Sequence, residues 1–188
     1  MYTFVIFLGS IPTAYASCIE SIKQFYPDLV TVTSWGDCPY DQPIDPREAS
    51  DILRMWIMSQ KEEALYFDAD MLLTGPIPIT GPLLFVDLPE FGSLNYCMMY
   101  HNGQQAFFTD MLKFYESNKQ MFWPMYYLKD HRAELGFFDK VNYKHLYLTT
   151  SPEFSNYLSA LVLLDGTKLD DGTRRNLIAE YQAKLGQG

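Results

Sequence analysis

Two aspartates one residue apart, in the run Tyr66-Phe67-Asp68-Ala69-Asp70, are the feature of this 188-residue chain most suited to chemistry. They follow a short apolar stretch, Ala64 to Phe67, that reads as a buried strand. Carboxylates projected from the carboxyl end of such a strand stand where open α/β sheets take ligands. Hard oxygen donors at this spacing suit a divalent cation, Mn²⁺ or Mg²⁺, that bridges the protein to an anionic diphosphate and acts on it as a Lewis acid. Taken alone the motif is unspecific, because Asp-Ala-Asp is often a solvated turn. Upstream, Asp51 and Arg54 lie one helical turn apart, a pairing that on an exposed helix contributes only about 0.2 to 0.5 kcal/mol. Their position just ahead of Asp68 and Asp70 is what makes them candidates for the same site.

The elements that must hold these residues follow a strand–helix–strand rhythm. Tyr2 to Leu8 is an apolar first strand. Ala14-Tyr15-Ala16 beyond it imitates a leader cleavage site, but no Lys or Arg precedes the run and Pro12 interrupts it. A helix is predicted over Ala14 to Phe25, and Leu29 to Ser34, β-branched and alternating, gives a second strand. The Pro- and Asp-rich stretch Trp35 to Glu48 reads as a loop, and Ala49 to Gln60 as a helix with Ile52, Met55 and Trp56 on its packed side. Strands are predicted at Leu83 to Val86 and Leu94 to Tyr100, and a helix over Gln104 to Asn118. Further on, the pattern suggests a helix over Lys129 to Phe138, a strand over His145 to Thr149, and a polar helix over Asp171 to Leu185. The expectation is one α/β domain over residues 1–188, with a mainly parallel, Rossmann-like sheet and helices on both faces.

Composition narrows the partners. Fourteen Lys and Arg against 23 Asp and Glu give a net charge of -9, which disfavours nucleic acid and anionic membrane surfaces. No stretch approaches the roughly 20 apolar residues of a membrane helix. Cys18, Cys38 and Cys97 are odd in number and widely spaced, so they read as buried free thiols of a cytoplasmic protein. The aromatic cluster Phe122, Trp123, Tyr126 and Tyr127 fits a core or a homo-oligomer patch better than a sugar-stacking platform. His101 and His131 lack the spacing of a zinc site.

Four stretches together resemble the retaining glycosyltransferases that carry a DXD motif, the group that includes capsular-polysaccharide transferases, mannosyltransferases and the glucosylating domains of clostridial toxins. The first is Cys18 to Lys23 with its exit Tyr26-Pro27-Asp28, followed by Trp35 after the second strand. The others are Ala49-Ser50-Asp51-Ile52-Leu53-Arg54, the run Leu65 to Asp70, and Asn95 to His101. The resemblance covers about the first 115 residues, and their order and spacing are more specific than any one stretch. It implies a GT-A fold in which residues 1–115 bind a nucleotide sugar and residues 116–188 form a short acceptor part. It implies transfer of a hexose, from a donor expected to be UDP-linked, to a glycan or other hydroxyl acceptor with retention of the anomeric centre.

Carried over residue by residue, the resemblance gives Asp51 and Arg54 contacts with the donor sugar and phosphate, and Asp68 the ribose or sugar hydroxyls. It makes Asp70 the main ligand of Mn²⁺ or Mg²⁺, with Asp68 beside it and His145 as the candidate further ligand. Leu8, Gly9, Ser10 and Ile11 would hold the nucleoside together with Trp35, and Asn95 would touch the transferred sugar. The chain departs from the pattern in having Glu62-Glu63-Ala64 where two glycines are usual, and in its short C-terminal third. That shortness motivates an alternative: a non-catalytic nucleotide-sugar or glycan-binding module on the same fold. A sugar-1-phosphate nucleotidyltransferase is a weaker alternative, since no Gly-rich, Lys- or Arg-bearing phosphate loop follows the first strand.

Overall fold

The apolar start of the chain becomes an interior strand of a sheet, with Phe4, Val5 and Ile6 all buried. The computed structural model describes residues 1–11, 13–73, 75–88, 93–119, 123–138, 141–151 and 154–163. In chain order the elements are β1 (Tyr2–Ile6), α1 (Thr13–Lys23), β2 (Val30–Val32), α2 (Pro46–Gln60), β3 (Glu63–Asp68), β4 (Met71–Leu73), β5 (Leu83–Leu88), β6 (Ser93–Asn102), α3 (Gln105–Ser117), α4 (Trp123–Asp130), β7 (Gly136–Phe137), β8 (Val141–Ser151) and β9 (Phe154–Leu163). They divide into two units, one made of Met1–Ser10, Leu29–Asp68 and Pro78–Phe138, the other of Ile11–Asp28, Ala69–Ile77 and Asp139–Gly188.

The first unit carries a sheet in the order β2-β1-β3-β6-β5-β7, in which β6 alone runs against the others. This is the mainly parallel, Rossmann-like α/β class expected from the sequence. Burial explains the strand compositions: Ala64, Leu65, Tyr66 and Phe67 are all shielded, so β3 reads as a continuous apolar run and not as an alternation. One sheet face, with Phe4, Tyr66, Phe85 and Met99, shares a core with Ile52, Met55 and Met58 of α2, Phe107, Phe108 and Met111 of α3, and Trp123 and Leu128 of α4.

Helix α2 starts a turn earlier than its apolar periodicity predicts. Asp45 caps it, its Oδ1 accepting from Arg47 N at 2.7 Å and Glu48 N at 3.4 Å, and Pro46 takes the first position, where a missing N–H costs nothing. Within the sheet, Phe85 of β5 pairs with Met99 of β6 while the next residue, Val86, pairs with Asn95. Tyr96 to Met98 are thus bulged out of the β5 ladder, a distortion of the kind that re-aims a side chain.

The expected helix over Lys129 to Phe138 is not what forms. Helix α4 occupies Trp123–Asp130, a short 3-10 turn follows, and Gly136 and Phe137 join the sheet as β7. Strand pairing wins because β7 can lie close against β5: a Cβ on Gly136 would sit 2.7 Å from the Leu83 carbonyl oxygen. Trp123 and Tyr127 belong to the core and Tyr126 is half exposed, while Phe122 lies outside the described residues.

The second unit has a sheet in the order β4-β9-β8. The predicted strand at His145 to Thr149 is the middle of the longer β8, and β4 and β9 were not foreseen. Ser21 ties α1 to β4: its hydroxyl donates to Cys18 O at 2.6 Å and accepts from Leu73 N at 2.9 Å. The predicted helix over Asp171 to Leu185 lies outside the described residues. All three cysteines are buried and free, as expected. Among the described residues no helix is long and apolar enough to cross a membrane.

Replacing Gly136 by Ala should destabilise the protein by about 1 to 3 kcal/mol, since the obstacle is backbone and not a flexible side chain. Urea unfolding of the two proteins measures it. Equal midpoints would mean that β7 does not approach β5 this closely.

Candidate functional site

Asp68 is the last residue of β3, and its register partner on the parallel neighbour β1 is Ile6. The loop Leu8-Gly9-Ser10 therefore leaves β1 beside the carboxyl end of β3. Gly9 turns that loop with φ of 104°, a conformation that penalises any Cβ, while its N–H still bonds Thr33 O at 3.1 Å beyond β2. From β1 the chain passes to β2 on one side and returns to β3 on the other. That reversal at the carboxyl edge is the switch point at which open α/β sheets bind ligands.

Behind this edge, α2 delivers Asp51 and Arg54. The guanidinium ion-pairs with Asp68 Oδ1 through Nη1 at 2.8 Å and with Asp51 Oδ1 through Nη2 at 2.9 Å. Its remaining donors reach Tyr96 O at 3.3 Å, Ser50 O at 3.3 Å and Ser50 Oγ at 3.2 Å. The rings of Tyr66 and Tyr96 lie 4.7 and 5.2 Å from its carbon centre, both within cation–π range. Tyr66 also donates its hydroxyl to Asp68 Oδ1 at 2.5 Å, and Tyr96 donates to Asp51 Oδ2 at 3.4 Å. The bulge in β6 is what brings the Tyr96 carbonyl and ring to Arg54.

Charge and burial shape the cluster. Burial pushes the Asp51 carboxyl up to about 6, although Arg54 pulls it down. Burial also works against the Arg54 charge, yet Tyr66, Asp68 and Asp51 together hold it above its ordinary value. Burial lifts the Tyr66 phenol well above its usual range, so at neutral pH it is a hydrogen-bond donor. Two carboxylates facing one guanidinium leave one excess negative charge. Of the three charged side chains, Arg54 is 8% and Asp51 13% exposed, whereas Asp68 is 30% exposed, so Asp68 is the member that faces solvent.

The other predicted site residues distribute unevenly. Leu8, Gly9 and Ser10 lie at the same sheet edge as Asp68. Trp35 follows β2 there, packs half-buried against the core, and donates its indole N–H to Tyr40 O at 2.9 Å. Asn95, at the bulge in β6, uses its side-chain oxygen to accept from Cys97 N at 2.7 Å. Ile11 and Asp70 belong to the second unit, where Asp70 adds to the burial that raises Cys18 to about 12. His145 lies on β8 opposite Ser159, and its side chain is outside the described residues. Among the described residues no three His, Cys, Asp or Glu side chains gather as a metal cluster.

Sequence reasoning passed over Tyr66, Tyr96 and Ser50 as members of the cluster. A signal for Tyr66 was present: residues two apart on a strand share a face, so Tyr66 and Asp68 must point the same way. Tyr96 had none, because its placement depends on a bulge.

No family model and no curated protein matches this chain. Among solved structures it is similar to a glycosyltransferase involved in the glycosylation of the major capsid of PBCV-1, with a TM-score of 0.51 and 12% identity, over all of both chains. At that identity the likeness is one of fold: the chain has a glycosyltransferase-like fold.

The native state holds the Asp51 proton more tightly than the unfolded chain, whose Asp stays near its ordinary value of 3.8. Between pH of about 4 and about 6 the folded form therefore binds the extra proton, and this group's contribution to stability falls as pH rises through that window. Asp51→Asn abolishes the titration, so its cost relative to the parent should grow on acidification from pH of about 7 to about 4, by on the order of 3 kcal/mol. Denaturant unfolding at the two pH values checks the sign, and a cost that stayed constant or shrank on acidification would contradict it.

Proposed function

We propose that this protein is a glycosyltransferase that moves a hexose from a nucleotide sugar, UDP-linked, to an acceptor hydroxyl with retention of configuration. The observation that carries the reading is the convergence of Asp51, Arg54 and Asp68 at the carboxyl edge of β1 and β3, on a fold like that of a solved glycosyltransferase. Three residues singled out on sequence grounds, from two separate stretches, meet in one hydrogen-bonded cluster. A solvated Asp-Ala-Asp turn has no need of a buried arginine.

In this reading the loop Leu8-Gly9-Ser10 and Trp35 flank the nucleoside, and Asp68 accepts hydroxyls of the ribose or sugar. Arg54 keeps a positive charge next to the place where negative charge develops as the diphosphate leaves. The bond from the anomeric carbon to the diphosphate oxygen breaks, and one to the acceptor oxygen forms on the same face. The acceptor's proton passes to the departing diphosphate. Asp51 is buried and bonded to Arg54, which suits a supporting carboxylate and not a nucleophile.

A hard divalent cation suits carboxylate oxygens in kind, and the Arg54 cluster, with two carboxylates to one guanidinium, carries one excess negative charge. We assign its protein ligation to Asp70 with Asp68 next to it in the motif. When bound, Mn²⁺ or Mg²⁺ would supply charge neutralisation for the diphosphate.

The test is a thermal-shift series with UDP-, GDP- and other nucleotide sugars, with and without Mn²⁺. At least one donor should raise the midpoint by about 5 °C at saturation, more strongly with metal, and Asp68→Ala and Asp70→Ala should each abolish the shift. Turnover of that donor distinguishes the enzyme from a binding module. No response to any nucleotide sugar under either condition would overturn the reading.

A further inference from the structure

Arg54 and Asp68 are bonded to each other, but their capacities are used very differently. A guanidinium has five N–H bonds. In Arg54 four hydrogen bonds stay within the cluster, Nε to Ser50 O, Nη1 to Asp68 Oδ1 and to Tyr96 O, and Nη2 to Ser50 Oγ, and Nη2 also ion-pairs with Asp51 Oδ1. Tyr66 and Tyr96 lie within cation–π range of it as well. A phosphate that bonded Arg54 directly would have to displace a carboxylate or a backbone carbonyl, and a buried carboxylate stranded in that way is strongly destabilising.

Asp68 has capacity to spare. Its two donors, Tyr66 Oη at 2.5 Å and Arg54 Nη1 at 2.8 Å, fall on the same oxygen, Oδ1. Tyr66 is 1% exposed and sits in the apolar core between Arg54 and Phe4, so its hydroxyl is fixed in place by packing.

From this geometry we infer that Tyr66 and Arg54 are positioning residues that act through Asp68: they aim the second oxygen of the carboxylate that the proposed function assigns to a ligand hydroxyl. Two donors on Oδ1 fix the plane of the carboxylate, and Oδ2 is left as an acceptor at the sheet edge. The ligand group so recognised is a hydroxyl donor of a ribose or pyranose ring. Arg54 acts on the diphosphate through its charge and not through a direct bond. This rests on the nucleotide-sugar reading of the site and refines it.

The test uses Tyr66→Phe, which removes one buried hydroxyl and keeps the ring, with UDP-glucose, UDP-galactose and GDP-mannose as calorimetric probes. For the probe that binds best, Tyr66→Phe and Arg54→Lys should each weaken affinity about tenfold or more, as loss of a bond to a charged group does. In the Asp68→Asn background Tyr66→Phe should cost nothing further, because a residue that acts through Asp68 has nothing left to position. Undiminished costs in that background would overturn the inference. A crystal structure of Tyr66→Phe gives a readout that needs no donor: the Asp68 carboxylate should rotate or split between conformers. If no probe binds the parent protein the functional reading fails for those donors, and the position of Asp68 in that structure decides the inference alone.

Discussion

A single buried arginine organises the first unit's sheet edge. Arg54 comes from the middle of a helix, one of its carboxylate partners from the same helix and the other from the end of a strand. Burying such a charge is costly unless every donor finds an acceptor, and each acceptor here constrains a different element. Ser50 and Asp51 fix the helical turn, Asp68 fixes the helix to the end of β3, and the Tyr96 carbonyl fixes it to the bulge in β6. Once the arginine is satisfied, the relative placement of α2, β3 and β6 is no longer adjustable.

That constraint explains features that otherwise look accidental. The bulge in β6 costs ladder hydrogen bonds and returns a carbonyl and an aromatic ring to the arginine. The Asp45 cap and Pro46 start α2 early, so that Asp51 and Arg54 sit in its interior, away from a fraying end. Tyr66 lies in the core with its hydroxyl at the boundary of the cluster, packed against Phe4 at 5.1 Å between ring centres. Through this residue the apolar core meets the polar cluster.

Much of the first unit could be read in advance. Uninterrupted apolar runs at Tyr2 and Ala64 made buried parallel strands the natural reading, and helical spacing located α2 and α3. The grouping of Asp51, Arg54 and Asp68 came from a resemblance spread over several short stretches, too faint for any family model to register. What stayed hidden depended on tertiary geometry. Tyr96 reaches Arg54 only because three residues bulge out of a ladder, and β7 exists only because Gly136 allows a backbone approach that local propensity does not encode. In the second unit β4 is three residues long and pairs with a strand more than eighty positions away, so no local pattern announces it. The candidate metal ligands Asp70 and His145 belong to that unit, and the cation remains part of the proposal.

The most direct measurement of the central claim is a crystal structure of the protein with UDP and Mn²⁺. The account predicts the nucleotide along the carboxyl edge of β1 and β3, an Asp68 oxygen within hydrogen-bond reach of the nucleotide, and Arg54 still bonded to both Asp51 and Asp68. A nucleotide bound elsewhere, or an Arg54 that has left Asp68 to grip the phosphates, would contradict it.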